Sequence, residues 1–135
     1  MVEISGSCLC GDVSYKGNAE VKMVINCHCT DCQQATGSAH GTMLFVSDDA
    51  IKFAGAKAEY SHPADSGNTL TKIFCNKCGS QVAGKNTGRA GVLGLRAGCV
   101  DQKELIQPGA NIYCDSAIPS TAMAPELKKF PGMPG

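Results

Sequence analysis

The sequence predicts a mainly β domain, built from antiparallel strands with cysteine-bearing turns and one short helix. Short runs of roughly four to eight residues alternate apolar with polar side chains or are rich in β-branched ones, as strands are. Glycine, asparagine, aspartate or proline separates these runs, as expected for the turns of an antiparallel sheet. The chain has 135 residues, which fits one domain. We expect that domain over residues 5–120 and a loosely held C-terminal tail over residues 121–135.

Each predicted strand is a run of this kind bounded by turn residues. The predicted strands are Asp12–Gly17, Val21–Cys27, Gly41–Ser47, Ala50–Gly55, Ala58–His62, Thr69–Cys75, Ser80–Gly84, Gly91–Gly98 and Ala110–Cys114. The one well-formed helical segment is Thr30–Thr36, with Thr30 or Asp31 as its N-cap and Gly37 ending it. A further turn of helix is expected within TAMAPELKKF, residues 121–130.

Composition and charge argue against two classes of partner. The 12 basic and 12 acidic side chains balance, and the densest basic cluster is Lys128–Lys129. Nucleic-acid binding depends on neutralising phosphates, so no nucleic-acid partner is expected. Apolar runs such as Met43–Val46 are too short to span a bilayer, and the N-terminus lacks an apolar export signal. We therefore expect a cytoplasmic protein without a membrane partner.

Nine cysteines carry the strongest functional signal. Their odd number, without an export signal, argues against a disulfide framework, because the cytosol keeps thiols reduced. Cys99 and Cys114 stand alone in strand-like contexts and are interpreted as small buried hydrophobic residues. The other seven fall into tight groups: Cys8 and Cys10, Cys27 with Cys29 and Cys32, and Cys75 with Cys78. Metal sites cluster cysteines in this way, whereas disulfide scaffolds spread them along the chain.

Four of these cysteines form a predicted structural zinc site. Cys75 and Cys78 have C-x2-C spacing, and Gly79 permits the tight turn beneath them, as in a zinc knuckle. Cys8 and Cys10 supply the second pair. Four thiolates complete a tetrahedron and leave no open position, which favours a structural role. A pair of buried free thiols at Cys8 and Cys10 is the alternative.

The other group, Cys27, Cys29 and Cys32, offers only three ligands. Cys27 and Cys29 point the same way from extended chain, and Cys32 turns back from the first helical turn, so that the three sulfurs can converge. Three protein ligands with an open fourth position are typical of a catalytic zinc. Zinc bound by sulfur would also accept a substrate thiolate.

Two alternatives remain for this group of three. A histidine could close the tetrahedron and make the site structural. His28 lies between two ligands and is expected to point away, whereas His40 is the better candidate, either as a ligand or as an acid/base group beside the metal. The three cysteines could instead be a reactive thiol set without a metal.

The segments GSCLCGDVSY, CHCTDCQQATGS and FCNKCGSQV, in this order and separation, resemble the glutathione-dependent formaldehyde-activating enzyme family, which includes centromere protein V. The resemblance continues through LRAGCVDQKELIQPGANIY and runs from about Gly6 to about Pro119. It implies an Mss4-like fold of antiparallel sheets with two zinc ions per chain. It also implies that the four-cysteine group holds the structural zinc and the three-cysteine group the active-site zinc.

The founding activity of this family joins glutathione with formaldehyde as S-(hydroxymethyl)glutathione, and it is classed as a carbon–sulfur lyase. The resemblance therefore implies an enzyme in which a zinc-held thiolate adds to a small carbonyl, with glutathione as the small-molecule partner. Cys27, Cys29 and Cys32 would be catalytic. A proton donor would serve the new alkoxide, and His40 is the one titratable side chain that we nominate.

The sequence also departs from the family pattern. A tryptophan often follows a proline near the C-terminus of the family, but Ser120 follows Pro119 here, and Cys99 stands where threonine is common. No convergent basic set marks a site for the carboxylates of glutathione, and the candidates are Arg89, Arg96 and Lys72. Two other functions stay open: a non-catalytic zinc-stabilised protein-interaction module, and a redox or metal sensor that uses the three cysteines directly.

Overall fold

Two β-sheets and one α-helix make up the fold in the computed structural model, which describes residues 1–133. The smaller sheet contains, in spatial order, β1 (Val2–Ser7), β2 (Ser14–Ala19) and β5 (Ile51–Ala54). The larger sheet contains, in spatial order, β11 (Lys128–Lys129), β10 (Ala110–Ile112), β3 (Met23–Cys27), β4 (Gly41–Ser47), β9 (Val92–Arg96), β8 (Gln81–Asn86), β7 (Thr69–Cys75) and β6 (Lys57–Pro63). Helix α1 (Thr30–Thr36) connects β3 to β4.

The main core lies between the two sheets. Its members are almost fully buried and include Ile4, Val13, Tyr15, Leu44, Val46, Leu93 and Leu95. Each buried leucine or valine stabilises the fold by about 1.5–3 kcal/mol relative to an exposed one. We call this side of the larger sheet its inner face. Side chains alternate along a strand, so the intervening residues lie on the opposite, outer face.

The outer face carries a second, smaller apolar cluster near α1. Its buried members are Ile25, Cys27, Cys32 and Ile112, and Met43 and Phe45 pack against them. Strand pairing explains the grouping, because Cys27 lies opposite Gly41 on β4 and opposite Ile112 on β10. The candidate three-cysteine site therefore lies on the outer face, where β3 ends and α1 begins.

Most of the predicted elements are present. The mainly β, Mss4-like class is confirmed, α1 spans the predicted residues, and the predicted strand ends differ by about two residues at most. The N-cap expectation is wrong, because Cys29 occupies that position and its sulfur accepts a hydrogen bond from Cys32 N. Gly37 ends the helix with a φ of 69°, in the left-handed region, as expected. The sheet is mixed, since β10 runs parallel to β3.

Strand β1 was not among the predicted strands. It is rich in serine and glycine, residues without strong strand preference, and its pairing with β2 along the whole strand supplies what its own sequence lacks. None of the helices of residues 1–133 has the length and hydropathy needed to cross a bilayer.

The C-terminal segment is attached to the larger sheet. The expected helical turn is wrong, because Lys128 and Lys129 form β11 parallel to β10, and Phe130 N donates to Asn111 O at 2.9 Å. Phe130 also packs against the outer cluster. Residues 128–130 are therefore not loosely held. The boundary after residue 120 stays a prediction, and residues 134 and 135 of the predicted tail lie outside the described residues.

Candidate metal centres

The fold gathers Cys8, Cys10, Cys75 and Cys78 into one group. All four Sγ atoms lie within 4.8 Å of one another, although Cys10 and Cys75 are 65 residues apart. Cys75 ends β7, and its sulfur accepts hydrogen bonds from Lys77 N at 3.3 Å and Cys78 N at 3.4 Å. This is a tight turn that presents two sulfurs on the same side, with Gly79 at a φ of 78°.

The sulfur of Cys78 is poised as a thiolate. Its pKa is lowered to about 5, first by the hydroxyl of Ser80 and then by backbone N–H groups. The Ser80 hydroxyl lies 3.2 Å from the sulfur. Thiolates are the form of cysteine that binds a metal, so Cys78 supplies the group with an anionic sulfur. The four sulfurs could hold one metal ion.

The fold also brings Cys27, Cys29 and Cys32 together. Their Sγ atoms lie within 4.8 Å of one another, and within residues 1–133 no histidine, aspartate or glutamate joins the group at that distance. Cys27 ends β3, Cys29 caps α1, and Cys32 lies in the first turn of the helix. Cys27 and Cys32 are buried, whereas Cys29 is half-buried and accessible to solvent. Three sulfurs could thus hold a metal ion.

Two basic side chains influence this three-sulfur group. Arg96, on β9, is only 6% exposed, and a Cβ at Gly41 would collide with its Nη1 and lie 3.6 Å from Cys32 Cβ. The missing side chain at Gly41 therefore lets the guanidinium reach the sulfur group. The pKa of Cys32 is lowered by hydrogen bonds with Cys27 and Cys29, and further by the positive charges of Arg96 and Lys72. The pKa of Cys27 is raised by the neighbouring thiols of Cys29 and Cys32 and by burial.

The histidines lie elsewhere. His28 is fully buried, its Nε2 lies 2.8 Å from Asn111 Oδ1, and its ring centroid is 4.9 Å from that of His40. His40 Nδ1 contacts Thr42 Oγ1 at 3.4 Å. Gly41 is paired with Cys27 on the outer face, so the next residue along β4, Thr42, points to the inner face. The side chain that His40 contacts therefore lies on the face opposite to Cys27. Burial, reinforced by His28, lowers the pKa of His40. The structure does not bring His40 into the three-sulfur group.

The remaining predicted candidates are dispersed. The guanidinium of Arg89 lies 5.5 Å from the centre of the Phe45 ring. Cys99 and Cys114 are half-buried, and their thiols donate weakly to backbone carbonyls at 3.4 Å and 3.5 Å. Of the three basic candidates, Arg96 and Lys72 act on the three-sulfur group and Arg89 packs on an aromatic ring.

The sequence analysis missed two side chains that hold α1 in place. Gln33 Nε2 donates to His28 O at 2.8 Å and to Ser116 O at 2.9 Å. Gln81 Nε2, on β8, donates to Ala35 O at 2.9 Å. The bonds from Gln33 to Ser116 and from Gln81 to Ala35 join positions 83 and 46 residues apart, and no local sequence pattern indicates them. They fix the helix that carries Cys32 against the outer face.

A surface cavity of about 360 Å³ lies beside α1 on the same side of the sheet. We call it the helix-side cavity. Asp31 and Gln34 of α1 line one side, and Tyr60, Lys72 and Phe74 of β6 and β7 line the other. Lys72 belongs to this lining and also acts on Cys32, so the cavity and the three-sulfur group share a charged residue.

Comparison with known proteins agrees with this arrangement. The profile of the family described as glutathione-dependent formaldehyde-activating enzyme matches residues 3–116. No curated protein matches the chain significantly. A crystal structure of a Rhodobacter sphaeroides protein superposes with a TM-score of 0.58 at 15% identity, covering 77% of this chain and 96% of that one, which shows a shared fold. The family profile spans both cysteine groups and nearly all of the paired strands, and the chain therefore belongs to the glutathione-dependent formaldehyde-activating enzyme family.

Proposed function

We propose that the protein is a zinc-dependent enzyme of the carbon–sulfur lyase type, which joins or cleaves the adduct of a small thiol and a small carbonyl. The reaction of S-(hydroxymethyl)glutathione synthase is the model for it. The observation that carries the proposal is a group of three sulfurs with no fourth protein ligand among residues 1–133, beside a cavity open to solvent. Family membership supports glutathione and formaldehyde as substrates.

The donor sets fit zinc. A tetrahedral zinc with Zn–S bonds of about 2.3 Å separates its sulfurs by about 3.8 Å. The distances from Cys10 Sγ to Cys8 Sγ and to Cys75 Sγ are both 3.7 Å. All seven donors are cysteine sulfurs, which suit zinc better than magnesium or calcium. We propose one structural zinc at the four-cysteine group and one catalytic zinc at the three-cysteine group.

When bound at the second group, zinc would keep a substrate thiol deprotonated near neutral pH. The protein holds the reacting partners. Cys27 and Cys32 are fixed by burial between α1 and the outer face, and the solvent-accessible side of Cys29 leaves an approach for the substrate. Arg96 stabilises negative charge at this position without needing to move, since its guanidinium is already buried there.

The proposed step is the addition of the thiol sulfur to the carbonyl carbon. The sulfur lone pair forms the C–S bond, the C=O π pair moves to oxygen, and that oxygen takes a proton to give the hydroxymethyl thioether. Cleavage is the reverse, with the hydroxyl proton leaving and the C–S pair returning to sulfur. The role of His40 as proton donor stays a prediction. Its ring contacts His28 and Thr42.

The test is adduct formation from glutathione and formaldehyde, followed by NMR exchange spectroscopy at equilibrium, with zinc-loaded and reduced protein. Cys29→Ala should remove the acceleration over the spontaneous reaction, while circular dichroism stays unchanged. Cys114→Ala, which deletes a half-buried cysteine outside both groups, is the matched control and should stay active. His40→Gln should slow exchange only if His40 transfers the proton.

Two results would refute the proposal. One is a wild-type exchange rate equal to the spontaneous rate with glutathione and with other common cellular thiols. The other is a zinc content of one ion per chain in fully reduced protein. In the first case the fold would serve as the zinc-stabilised interaction module instead.

A further inference from the structure

Lys72 and Arg96, which we call the cation pair, are unusual because neither forms an ion pair with an acidic residue among residues 1–133. Lys72 is 9% exposed and Arg96 is 6% exposed, although both are charged. The ion pairs of residues 1–133 involve other lysines, namely Lys57, Lys77 and Lys85. Nε and Nη1 of Arg96 are buried, and within residues 1–133 they have no hydrogen-bond acceptor. A buried charge without a partner is costly, so the Arg96 guanidinium requires an anion beside it, while Lys72 lacks a carboxylate partner among residues 1–133.

The two cations differ in what they can bind. Arg96 lies against Gly41 and Cys32, so the cysteine thiolates themselves are its natural anionic neighbours. Lys72 lies on β7, two strands from β9, where it lines the helix-side cavity. Lys72 therefore borders space that a ligand can enter. Arg96 is matched by the protein, whereas Lys72 is free to bind a ligand.

The surroundings of Lys72 leave room for a ligand group. Tyr60 lies opposite Lys72 on β6, and Gly84 lies opposite on β8. A Cβ at Gly84 would approach only Thr71 O, at 3.3 Å, so no side chain covers that flank of the lysine. Phe74 and Tyr60 offer apolar surface along the cavity. The other charged lining residue is Asp31, which is exposed and lies on the helix side, so it does not neutralise Lys72.

We infer that Lys72 is the specificity-determining residue of the site, and that it binds a carboxylate of the thiol substrate. The substrate class is then a thiol that carries a carboxylate far enough from its sulfur to reach the helix-side cavity, with its sulfur at the three-cysteine group. Neutral thiols would lack this contact. The inference rests on the proposed function for the location of the thiol, but it concerns recognition and not turnover.

The experiment is a calorimetric binding cycle without aldehyde, so no turnover is needed. Zinc-loaded wild type, Lys72→Met, Lys72→Arg and Lys85→Met are titrated with glutathione and with its diethyl ester. Lys85→Met is the matched control, since it removes a lysine from the neighbouring strand that is exposed and paired with Asp48. Thermal melting and zinc content verify that each variant is folded and loaded.

A charge-assisted hydrogen bond between a lysine and a carboxylate corresponds to about 10- to 100-fold in affinity. Lys72→Met should weaken glutathione binding by that factor, Lys72→Arg should recover part of it, and Lys85→Met should leave it unchanged. The diester should bind weakly to wild type, and Lys72→Met should not weaken it further. The glycyl monoester then identifies which carboxylate is bound.

The inference is overturned if Lys72→Met and Lys85→Met bind glutathione alike, or if Lys72→Met weakens the diester as much as glutathione. It is also overturned if wild type binds none of glutathione, N-acetylcysteine and cysteine. The proposed function fails separately. An enzyme that binds glutathione through Lys72 but does not accelerate adduct exchange would refute the lyase reaction and leave the carboxylate site standing.

Discussion

When both sulfur groups hold zinc, they should contribute unequally to stability, because the cysteines that each group joins are separated by very different lengths of chain. Cys10 and Cys75 lie 65 positions apart with sulfurs 3.7 Å from each other, whereas Cys27 and Cys32 lie five positions apart. A cross-link over 65 residues restricts the unfolded chain enough to stabilise the fold by about 4 kcal/mol, against about 2 kcal/mol for five residues. Loop length alone thus predicts a difference of about 2 kcal/mol.

Matched variants isolate this effect. Cys10→Ala combined with Cys78→Ala removes the two sulfurs of the four-cysteine group that solvent reaches, and it keeps the buried pair of that group in the core. Cys29→Ala removes the solvent-accessible sulfur of the other group. Urea denaturation followed by circular dichroism, in reducing buffer with two equivalents of zinc, measures the free energy of unfolding. We expect losses of about 4 kcal/mol and about 2 kcal/mol respectively.

Chelation provides the control. With EDTA present, wild type and the doubly substituted protein should have the same free energy of unfolding, because neither then has a metal cross-link at either group. Equal stability of the two zinc-loaded variants would refute the loop-closure reasoning. So would a wild-type protein whose unfolding free energy is unchanged by EDTA.

Two further predictions concern the smaller sheet and the turn that carries the first cysteine pair. Gly6→Ala should lower the free energy of unfolding by about 3 kcal/mol, because its Cβ would collide with a backbone carbonyl and with the Tyr15 ring. Gly98→Ala is the control: its Cβ meets nothing within 4 Å, and the same denaturation experiment should show almost no loss. Asp12 has a lowered pKa because it accepts from Ala56 N and pairs with Lys77. A lowered carboxyl pKa stabilises the fold above the ordinary value of 3.8 and loses that contribution as pH falls through the lowered value. Wild type should therefore melt higher than Asp12→Asn at pH 7, and the gap should close in acid; a gap that is constant with pH would contradict the ion-pair explanation.

Local patterns were sufficient for β2–β10, for α1 and for the membership of the two sulfur groups. Alternation of apolar and polar residues identified the central strands. One face of each strand is buried in the core, and this one-sided burial leaves its pattern in the sequence of the strand. C-x-C and C-x2-C spacings identified the ligand groups because nearby thiolates converge through local geometry. The pairing of Cys8 and Cys10 with Cys75 and Cys78 also followed, since each pair supplies only half of a tetrahedron.

Long-range partners were outside the reach of these patterns. β1 has little strand preference of its own and is stabilised by pairing with β2. Lys128 and Lys129 form a strand because they pair with the edge of β10, and their own side chains give no strand signal. His40 was nominated for its distance along the chain; its ring contacts Thr42 and His28, and its role as a proton donor stays a prediction. For β1 and β11 the deciding contact is the pairing with another strand, which the sequence of the segment itself does not reveal.

Charge balance links the cation pair to the open position of the three-cysteine group. Three thiolates and one divalent ion carry a net charge of −1, and a thiolate ligand in the fourth position raises this to −2. Arg96 and Lys72 supply two positive charges in the same region, and they have no carboxylate partner among residues 1–133. Arg96, whose guanidinium nitrogens are buried against this group, would balance the net charge of −1. Lys72 then has no counter-charge of its own, and a carboxylate of the ligand in the helix-side cavity would balance it. A thiolate in the fourth position adds a negative charge that solvent on the accessible side of Cys29 can screen.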